Sequence, residues 1–206
     1  MSNMKPALLY LCHRIPYPPN KGDKIRSFHL LKHLSRNHRV FLGAFIDEPD
    51  DWQYTSRLDE WCEETSFLRL NPRLAKLKSL SGLLTNQALT LPYYHDSGMA
   101  RWIRSVVSRE EIETVLVYSS AMAQYVLGTG FSAAKRIIDL VDVDSDKWRQ
   151  YSGNKSWPMS WVYRREADKL FEFERKVAAS LDHSFFVSSK EADLFRQLAP
   201  ETAHKV

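Results

Sequence analysis

Short apolar runs alternate with segments of helical spacing along the whole chain of 206 residues. Apolar residues at every third or fourth position indicate amphipathic helices, whereas short continuous apolar runs indicate buried strands. Strands are predicted at residues 8–12, 39–45, 65–70, 114–118, 136–140 and 182–187, and residues 203–206 are predicted to begin another. This alternation predicts a Rossmann-like α/β fold, with a mostly parallel sheet and helices on both faces.

The segments between these strands have the spacing of helices. One helix starts near Lys24, a further helical stretch contains Leu74, Leu77 and Leu80, and residues 81–96 are predicted to be mostly loop. The remaining predicted helices cover residues 52–62, 97–109, 121–127, 161–181 and 190–198. A chain of this length fits one domain with a substantial core. We therefore expect residues 1–206 to form a single domain.

The composition is that of an ordinary globular protein, with 44% hydrophobic and 26% charged residues. The net charge of +4 comes from scattered basic residues, so it allows attraction to anionic lipid or phosphate without indicating nucleic acid. Cys12 and Cys62 lie far apart, which favours a reducing compartment without a disulfide framework. No apolar run has the length of a membrane span, and the first is too short for a signal peptide. We expect a cytoplasmic protein, with attachment to a membrane surface left open.

The loop after the first predicted strand is rich in proline and ends in basic residues. Ligands of parallel α/β sheets bind beyond the carboxyl ends of the strands, which is where this loop lies. Gly22 can let the backbone approach a ligand or adopt a positive φ. Lys21, Lys24 and Arg26 surround a helix N-terminus, which itself favours anions. These features predict a site for a phosphate or other acidic group, and a rigid proline turn before a solvated basic helix fits them equally.

Carboxylates are predicted at the same edge of the sheet. Asp139, Asp142 and Asp144 follow a buried strand, where they can bind sugar hydroxyls or act as a general base. Asp144 can alternatively cap the helix that follows. Asp23 can accept a proton from a hydroxyl group or cap the first helix. Ser119 follows the predicted strand 114–118 and, with Ser120, is predicted to cap the next helix. Right-handed crossovers bring all of these loops to one edge.

Common cofactor and metal motifs are absent from the sequence. The first loop has Gly22 but no G-x-G-x-x-G fingerprint, although Asp47 lies roughly where a dinucleotide site needs an acidic residue. Neither a Walker phosphate loop nor a G-x-S-x-G nucleophile motif occurs. His29 and His33 lie one helical turn apart without a visible third ligand, so a helix-surface pair is favoured over a metal site. No cofactor and no metal are expected.

Residues 8–45, LLYLCHRIPYPPNKGDKIRSFHLLKHLSRNHRVFLGAF, resemble the start of GT-B glycosyltransferases of the retaining family 4 type. The likeness is greatest to the sugar transferases associated with exosortase (PEP-CTERM) and exopolysaccharide systems. The segments VLVYSSAMAQYV, RIIDLVDVDSDKW and FFVSSKEADLF are also similar, so the resemblance covers nearly the whole chain. Its most specific parts are the frame P-x-x-x-G-x-x-x-R, from Pro18 to Arg26, and the phrase DLVDVDSDKW.

The resemblance implies two Rossmann-like domains that face each other across a cleft. The N-terminal domain of such enzymes receives the acceptor, and the C-terminal domain holds the nucleotide-sugar and carries an E-x7-E signature. The present sequence corresponds to the N-terminal half and stops before the family's V-P-N-G-V-D turn. The C-terminal donor-binding domain is thus expected to be a partner missing from this chain, and residues 1–206 alone are not expected to transfer sugar.

The resemblance also implies a function, the transfer of a hexose from a nucleotide-sugar to a saccharide or lipid-linked acceptor in exopolysaccharide assembly. Front-face attack, in which the donor phosphate helps to remove the acceptor proton, would leave Asp23 or Asp142 to orient the acceptor. The expected contacts to phosphate are Lys21, Gly22 and Lys24, with help from Arg26, and the expected border of the acceptor pocket is Ser119, Asp142 and Asp144. Two departures are visible: Lys21-Gly22 replaces a Gly-Gly pair, and Tyr118-Ser119-Ser120 lacks a histidine common in the family.

Two other functions are compatible with the sequence. One is a dinucleotide-binding oxidoreductase or epimerase domain, against which the missing glycine fingerprint counts. The other is a non-enzymatic module that binds membranes or partners through a basic, tryptophan-rich surface. Trp148, Trp157 and Trp161 can stack on a sugar or contact lipid, although core packing is the commoner role of such side chains.

Overall fold

The computed structural model describes residues 5–131 and 133–206. Its strands form one six-stranded sheet in the order β3-β2-β1-β4-β5-β6. They are β1 (Ala7–Cys12), β2 (Arg39–Ile46), β3 (Glu64–Arg69), β4 (Ile112–Tyr118), β5 (Lys135–Val141) and β6 (His183–Phe186). Each neighbouring pair runs parallel. The prediction of a Rossmann-like α/β fold with a mostly parallel sheet is therefore confirmed.

Helices connect the strands and cover the sheet. The α-helices are α1 (Gly22–Leu34), α2 (Pro72–Ser79), α3 (Ser81–Leu84), α4 (Thr90–Tyr94), α5 (Ser97–Arg109), α6 (Asp144–Gly153), α7 (Met159–Ser180) and α8 (Ser189–Leu198). 3₁₀ helices occur at Pro49–Glu60, Ser120–Tyr125, Thr129–Phe131 and Pro200–Lys205. Among the described residues, none of these helices combines the length and the apolar character that crossing a bilayer requires.

The middle of the sheet explains why the first strand is a continuous apolar run. All six residues of β1 are buried, because it lies between β2 and β4 and is covered on both faces. Leu9 and Leu11 pack into the cluster that contains α5, whereas Leu8 and Tyr10 pack against α1 on the other face. The carboxyl end of β1 is consequently fixed at the centre of one edge of the sheet.

The end of the chain differs from its prediction. Residues 203–206, predicted to begin a strand, fall mostly within the 3₁₀ helix Pro200–Lys205. Pro200 occupies the first turn of that helix, and the hydroxyl of the buried Thr202 donates to the carbonyl oxygen of Ala199 at 2.9 Å. This local bonding satisfies the backbone without a neighbouring strand, so the strand prediction is wrong.

Two further segments differ because of contacts that local sequence does not reveal. The region predicted as loop, 81–96, contains the short helices α3 and α4. The predicted helix 121–127 is a single 3₁₀ segment, Ser120–Tyr125, and Ser119 before it makes no capping hydrogen bond because its φ is 77°. The chain therefore turns sharply at the carboxyl end of β4 instead of entering a long helix.

Candidate functional site

A cavity of about 320 Å³ lies at the carboxyl ends of the central strands. His13 enters it from the loop after β1, Ser119 from the end of β4, and Asp142 from the loop after β5. The residues predicted from sequence that line it are Asp23, Ser119, Asp142 and Asp144. The structure thus brings together acidic residues that follow β1 and β5, as the shared edge of a parallel sheet predicts.

Asp23, in the first turn of α1, is held by His13 and Arg14 from the start of the preceding loop. The Nε2 atom of His13 lies 3.6 Å from Asp23 Oδ2, and Arg14 Nη1 donates to the same oxygen at 3.1 Å. Contact with His13 and the charge of Arg14 hold the pKa of the Asp23 carboxyl well below its usual range, against the effect of partial burial. A carboxylate this acidic is a poor proton acceptor and is suited to accepting hydrogen bonds. The side chain does not form the predicted helix cap, because α1 starts after Lys21 without a side-chain cap.

His13 is a site residue that the sequence analysis missed. Its ring stacks on Tyr118 with an interplanar angle of 5° and meets the edge of Tyr94, with both ring centroids 5.9 Å away. The Tyr118 hydroxyl donates to the backbone oxygen of Asp23 at 3.0 Å, which ties the loop to β4. The Nδ1 atom of His13 is buried and has no hydrogen-bond partner among the described residues. A ligand or a water molecule can satisfy that atom.

Asp142 and Asp144 share one cation. Lys147 Nζ donates to Asp142 Oδ2 at 2.6 Å and to Asp144 Oδ1 at 3.2 Å. Partial burial raises the pKa of Asp144, and Lys147 only partly offsets that rise. Burial lowers the pKa of Lys147, but the two carboxylates outweigh it, so its pKa lies above the usual value. The cluster presents acceptors beside a donor, and Asp144 starts α6 without capping it.

Two predicted phosphate ligands are engaged elsewhere. The side chain of Lys24 is only 1% exposed, and its Nζ atom lies 2.5 Å from Oδ2 of the buried Asp51. The prediction that Lys24 approaches a phosphate is therefore wrong, since its charge is enclosed and paired. Lys21 remains on the surface but forms an ion pair with Glu48. Neither Lys21 nor Glu48 lines the cavity.

Gly22 and Arg26 also differ from their predicted roles. Gly22 is the first residue of α1 and does not have a positive φ, so of its two possible roles only close approach of the backbone to a ligand remains. A Cβ atom at this position would have no atom within 4 Å, so the surface there is open. Arg26 Nε donates to Asp139 Oδ2 at 2.7 Å. Asp139 is itself buried and its other oxygen accepts from Val141 N at 3.0 Å, so this pair braces the sheet outside the cavity.

Two residues in the cavity wall have unusual backbone conformations. Ser119 has φ 77° and ψ 150°, and Val141 has φ 69°. Left-handed φ is unfavourable for residues other than glycine, above all for β-branched ones, and such positions concentrate at functional sites. Asp139 holds both in place, because its carbonyl oxygen accepts from Ser119 N at 2.9 Å and its carboxylate accepts from Val141 N. Neither position carries a glycine, so the sequence gives no sign of this geometry.

Helix α7 supplies buried carboxyl groups that position two walls of the site. Glu174 accepts from the hydroxyl of Ser145 at 2.5 Å and from its backbone nitrogen at 3.3 Å, which caps α6. Burial raises the pKa of Glu174 to about 8. Glu166 accepts from the backbone nitrogens of Leu89 at 2.6 Å and Thr90 at 3.0 Å, which caps α4. Both capped helices contribute residues to the cavity.

A second cavity of about 360 Å³ continues from the first. The two share Thr90, Tyr94 and Trp148. Aromatic and aliphatic side chains dominate the second cavity, where Trp148 meets the edge of Tyr163 at a centroid distance of 5.0 Å. A polar, charged chamber therefore opens into an apolar, aromatic one.

Metal and cysteine chemistry have little support in the described part of the chain. It contains no group of three or more His, Cys, Asp or Glu side chains arranged to hold a metal ion. Burial raises the pKa of the Cys12 thiol, and it raises that of Cys62 to about 12, which leaves both poor nucleophiles. Arg14 donates to both carboxylate oxygens of Asp47, at 3.0 and 2.7 Å, so the acidic residue that a dinucleotide would need is already engaged.

Comparison with known proteins supports the fold. No protein-family model and no curated protein sequence matches the chain. Four chains of solved structures match, among them the N-terminal domain of Candida albicans trehalose-6-phosphate phosphatase, with a TM-score of 0.51 and 12% identity. The chain has a Rossmann-like α/β fold. The match covers 99% of this chain and 45% of the other, so the chain spans less than half of that neighbour, and at this identity the likeness shows the fold alone.

Proposed function

We propose that this domain is the acceptor-binding half of a retaining GT-B glycosyltransferase that acts in exopolysaccharide assembly. It binds a saccharide or lipid-linked acceptor, to which a sugar is transferred from a nucleotide-sugar held by a second, C-terminal domain. The observation that carries the proposal is the convergence of Asp23, Ser119, Asp142 and Asp144 on one cavity at the carboxyl edge of the sheet.

The chemistry of the cavity suits a sugar. Saccharide hydroxyls both donate and accept hydrogen bonds, and the cavity offers carboxylate acceptors beside the Lys147 donor. The apolar faces of sugar rings pack against aromatic side chains, which Tyr94 and Trp148 supply where the two cavities meet. Charged hydrogen bonds contribute more than neutral ones, so these carboxylates account for much of the expected affinity.

The environments of the carboxylates assign them different roles. The lowered pKa of Asp23 suits it to orienting a hydroxyl, as front-face attack would require of it. Asp142 is bound to Lys147 at 2.6 Å and likewise orients the acceptor. The raised pKa of Asp144 makes it more basic than Asp23 toward an acceptor hydroxyl. The acceptor proton then leaves with the donor phosphate or passes to Asp144.

The proposal changes the predicted set of phosphate ligands. Lys24 and Arg26 are excluded because Asp51 and Asp139 hold their charges. Lys21 and Gly22 stay on the open surface, where the donor domain would approach, and Lys21 must leave Glu48 to contact a phosphate. We place the reaction in the cytoplasm, at the inner face of the membrane if the acceptor is lipid-linked.

Isothermal titration of the 206-residue chain with short-chain prenyl-diphosphate monosaccharides tests the proposal. We expect saturable binding, and we expect Asp142→Asn and Asp144→Asn each to weaken it about tenfold, as for loss of a charged hydrogen bond. Glu113→Gln is the matched control, because this exposed carboxylate lies on β4 away from the cavity. Tighter binding of NAD or NADP than of any saccharide would contradict the proposal and favour a dinucleotide enzyme.

A further inference from the structure

The helical segment formed by α2 and α3 buries its small residues and exposes its leucines, the opposite of the usual arrangement in an amphipathic helix. Its buried positions are the small residues Ala75, Ser79 and Gly82. Its large apolar side chains face outward: Leu74 is 63% exposed, Leu77 67%, Leu80 51%, Leu83 39% and Leu84 92%. Helices of water-soluble domains place leucines toward the core, so this face is built to contact something other than water.

A second exposed apolar group lies at the start of α7. Trp157 is 81% exposed and Trp161 is 55% exposed, so neither has the core role that is commoner for tryptophan. The two groups are neighbours, because Arg165 donates to the backbone oxygens of Gly82 at 2.9 Å and Gln87 at 3.1 Å. Both elements also border the aromatic cavity, which Lys76 of α2 and Tyr163 of α7 line together. We call these exposed leucines and tryptophans the leucine–tryptophan surface.

Two long stretches of sequence around this surface contain basic residues and no acidic ones. Residues 65–95 contain four Lys or Arg and no Asp or Glu. Residues 147–165 contain five Lys or Arg and no Asp or Glu, and two of these five, Lys147 and Arg149, pair with carboxylates outside the stretch. Arg73, Lys76 and Lys78 alternate with the exposed leucines of α2. The chain as a whole has 29 basic and 25 acidic residues, so two long stretches without a carboxylate mark this side of the domain as cationic.

We propose that the leucine–tryptophan surface docks on an anionic phospholipid bilayer. Leucines enter the boundary of the acyl chains, tryptophans lie at the level of the headgroups, and the basic side chains meet the anionic headgroups. A folded acidic partner would need a complementary shape, whereas a bilayer adapts to irregular side chains on two separate elements. An anionic bilayer thus accounts for both the basic residues and the exposed apolar side chains.

Docking in this orientation has a consequence for the acceptor, which rests on the proposed function. The aromatic cavity lies beside the docked surface and joins the polar cavity through Thr90, Tyr94 and Trp148. A lipid-linked acceptor can therefore keep its chain in the bilayer, pass its first apolar groups through the aromatic cavity, and place its sugar beside Asp142 and Asp144.

Co-sedimentation with vesicles tests the docking surface. We expect the 206-residue chain to bind vesicles that contain phosphatidylglycerol, to bind pure phosphatidylcholine vesicles much more weakly, and to be released by high salt. The double variants Leu77→Glu/Leu84→Glu and Trp157→Ala/Trp161→Ala are each expected to weaken binding at least about tenfold. All four side chains are exposed, so the variants retain the fold, which circular dichroism checks. Leu198→Glu, at an exposed leucine of α8, is the matched control and should bind normally.

Two results would overturn the docking proposal. One is failure of the folded wild-type chain to bind the anionic vesicles. The other is a dimer, seen by light scattering, that Leu77→Glu/Leu84→Glu dissociates, because the surface would then join two copies of the chain. Titration of the double variant with a soluble saccharide acceptor separates this proposal from the proposed function. Normal sugar affinity without vesicle binding shows that the variant removed docking alone, whereas vesicle binding without sugar affinity in the wild type contradicts only the transferase.

Discussion

The Nε2 atom of His13 lies 3.6 Å from the Oδ2 atom of Asp23, so the start of the loop after β1 meets the first turn of α1 in the wall of the polar cavity. Arg14 reaches the same carboxylate at 3.1 Å and binds Asp47 with its remaining nitrogens. The ion pairs of Arg14 therefore constrain the loop in addition to its prolines. This constraint is what presents Asp23 to the cavity.

Asp23→Asn is expected to lower the free energy of unfolding by about 1–2 kcal/mol at neutral pH, because the ion pair with Arg14 is lost and the contact with His13 is weakened. The pKa of Asp23 is lowered in the folded state, so its stabilising effect is present above the unfolded pKa near 4 and fades as the pH falls below it. Urea titrations at several pH values should show wild type and variant converging in acid. A constant difference down to the lowest pH would contradict the role assigned to these contacts.

Glu174→Gln tests the buried carboxyl that caps α6. The pKa of Glu174 is raised to about 8, so between the unfolded pKa near 4.3 and pH 8 the folded state keeps a proton that the unfolded state loses. Stability therefore falls as the pH rises through this window, by up to about 1.4 kcal/mol per pH unit. Between pH 5 and pH 8, the unfolding temperature of the variant should fall less steeply with rising pH than that of the wild type. Glu172→Gln, an exposed neighbour on α7, should behave like wild type.

Lys24→Met leaves the Asp51 carboxylate buried without its partner. We expect it to lower the free energy of unfolding by about 3–5 kcal/mol, as found when one member of a buried ion pair is removed. Lys24→Met combined with Asp51→Leu should recover most of this loss. Lys21→Met is the control, because its pair with Glu48 is exposed and should be worth no more than about 1 kcal/mol. Equal effects of the two lysine substitutions in urea unfolding would show that Lys24 is not enclosed.

Ser119→Gly tests the strained end of β4. Glycine normally destabilises a protein relative to alanine, but at a φ of 77° the order should reverse. We expect Ser119→Gly to be more stable than Ser119→Ala by about 1–2 kcal/mol. Urea unfolding of the two variants measures this difference directly. A more stable alanine variant would mean that the residue leaves the left-handed region in solution.

The sequence allowed the ligand edge to be predicted but not the partners of its charges. Asp23, Ser119, Asp142 and Asp144 follow recognisable strands, and parallel strands end at one edge, so their meeting could be foreseen. Lys24 looked like an anion ligand because its partner lies 27 residues away, at Asp51. Spacing along a helix indicates which residues share a face, but it carries no information on what a distant segment places against them.

The same limit explains the other differences. Helix α4 depends on a carboxylate from Glu166, 76 residues beyond Thr90, so local sequence indicated only a loop there. His13 became a site residue because Tyr94 and Tyr118 hold its ring from two other elements. In α2 and α3, leucines at helical spacing normally indicate a buried face, but here they are exposed.

The most direct test of the account is a map of backbone amide shifts by nuclear magnetic resonance as a short prenyl-diphosphate monosaccharide is added. We predict that the amides of His13, Ser119, Asp142 and Asp144 shift together and saturate at one concentration, and that Asp142→Asn moves this concentration upward about tenfold. Saturation of shifts confined to the opposite edge of the sheet, or no shifts at all from a folded sample, would contradict acceptor binding in this cavity.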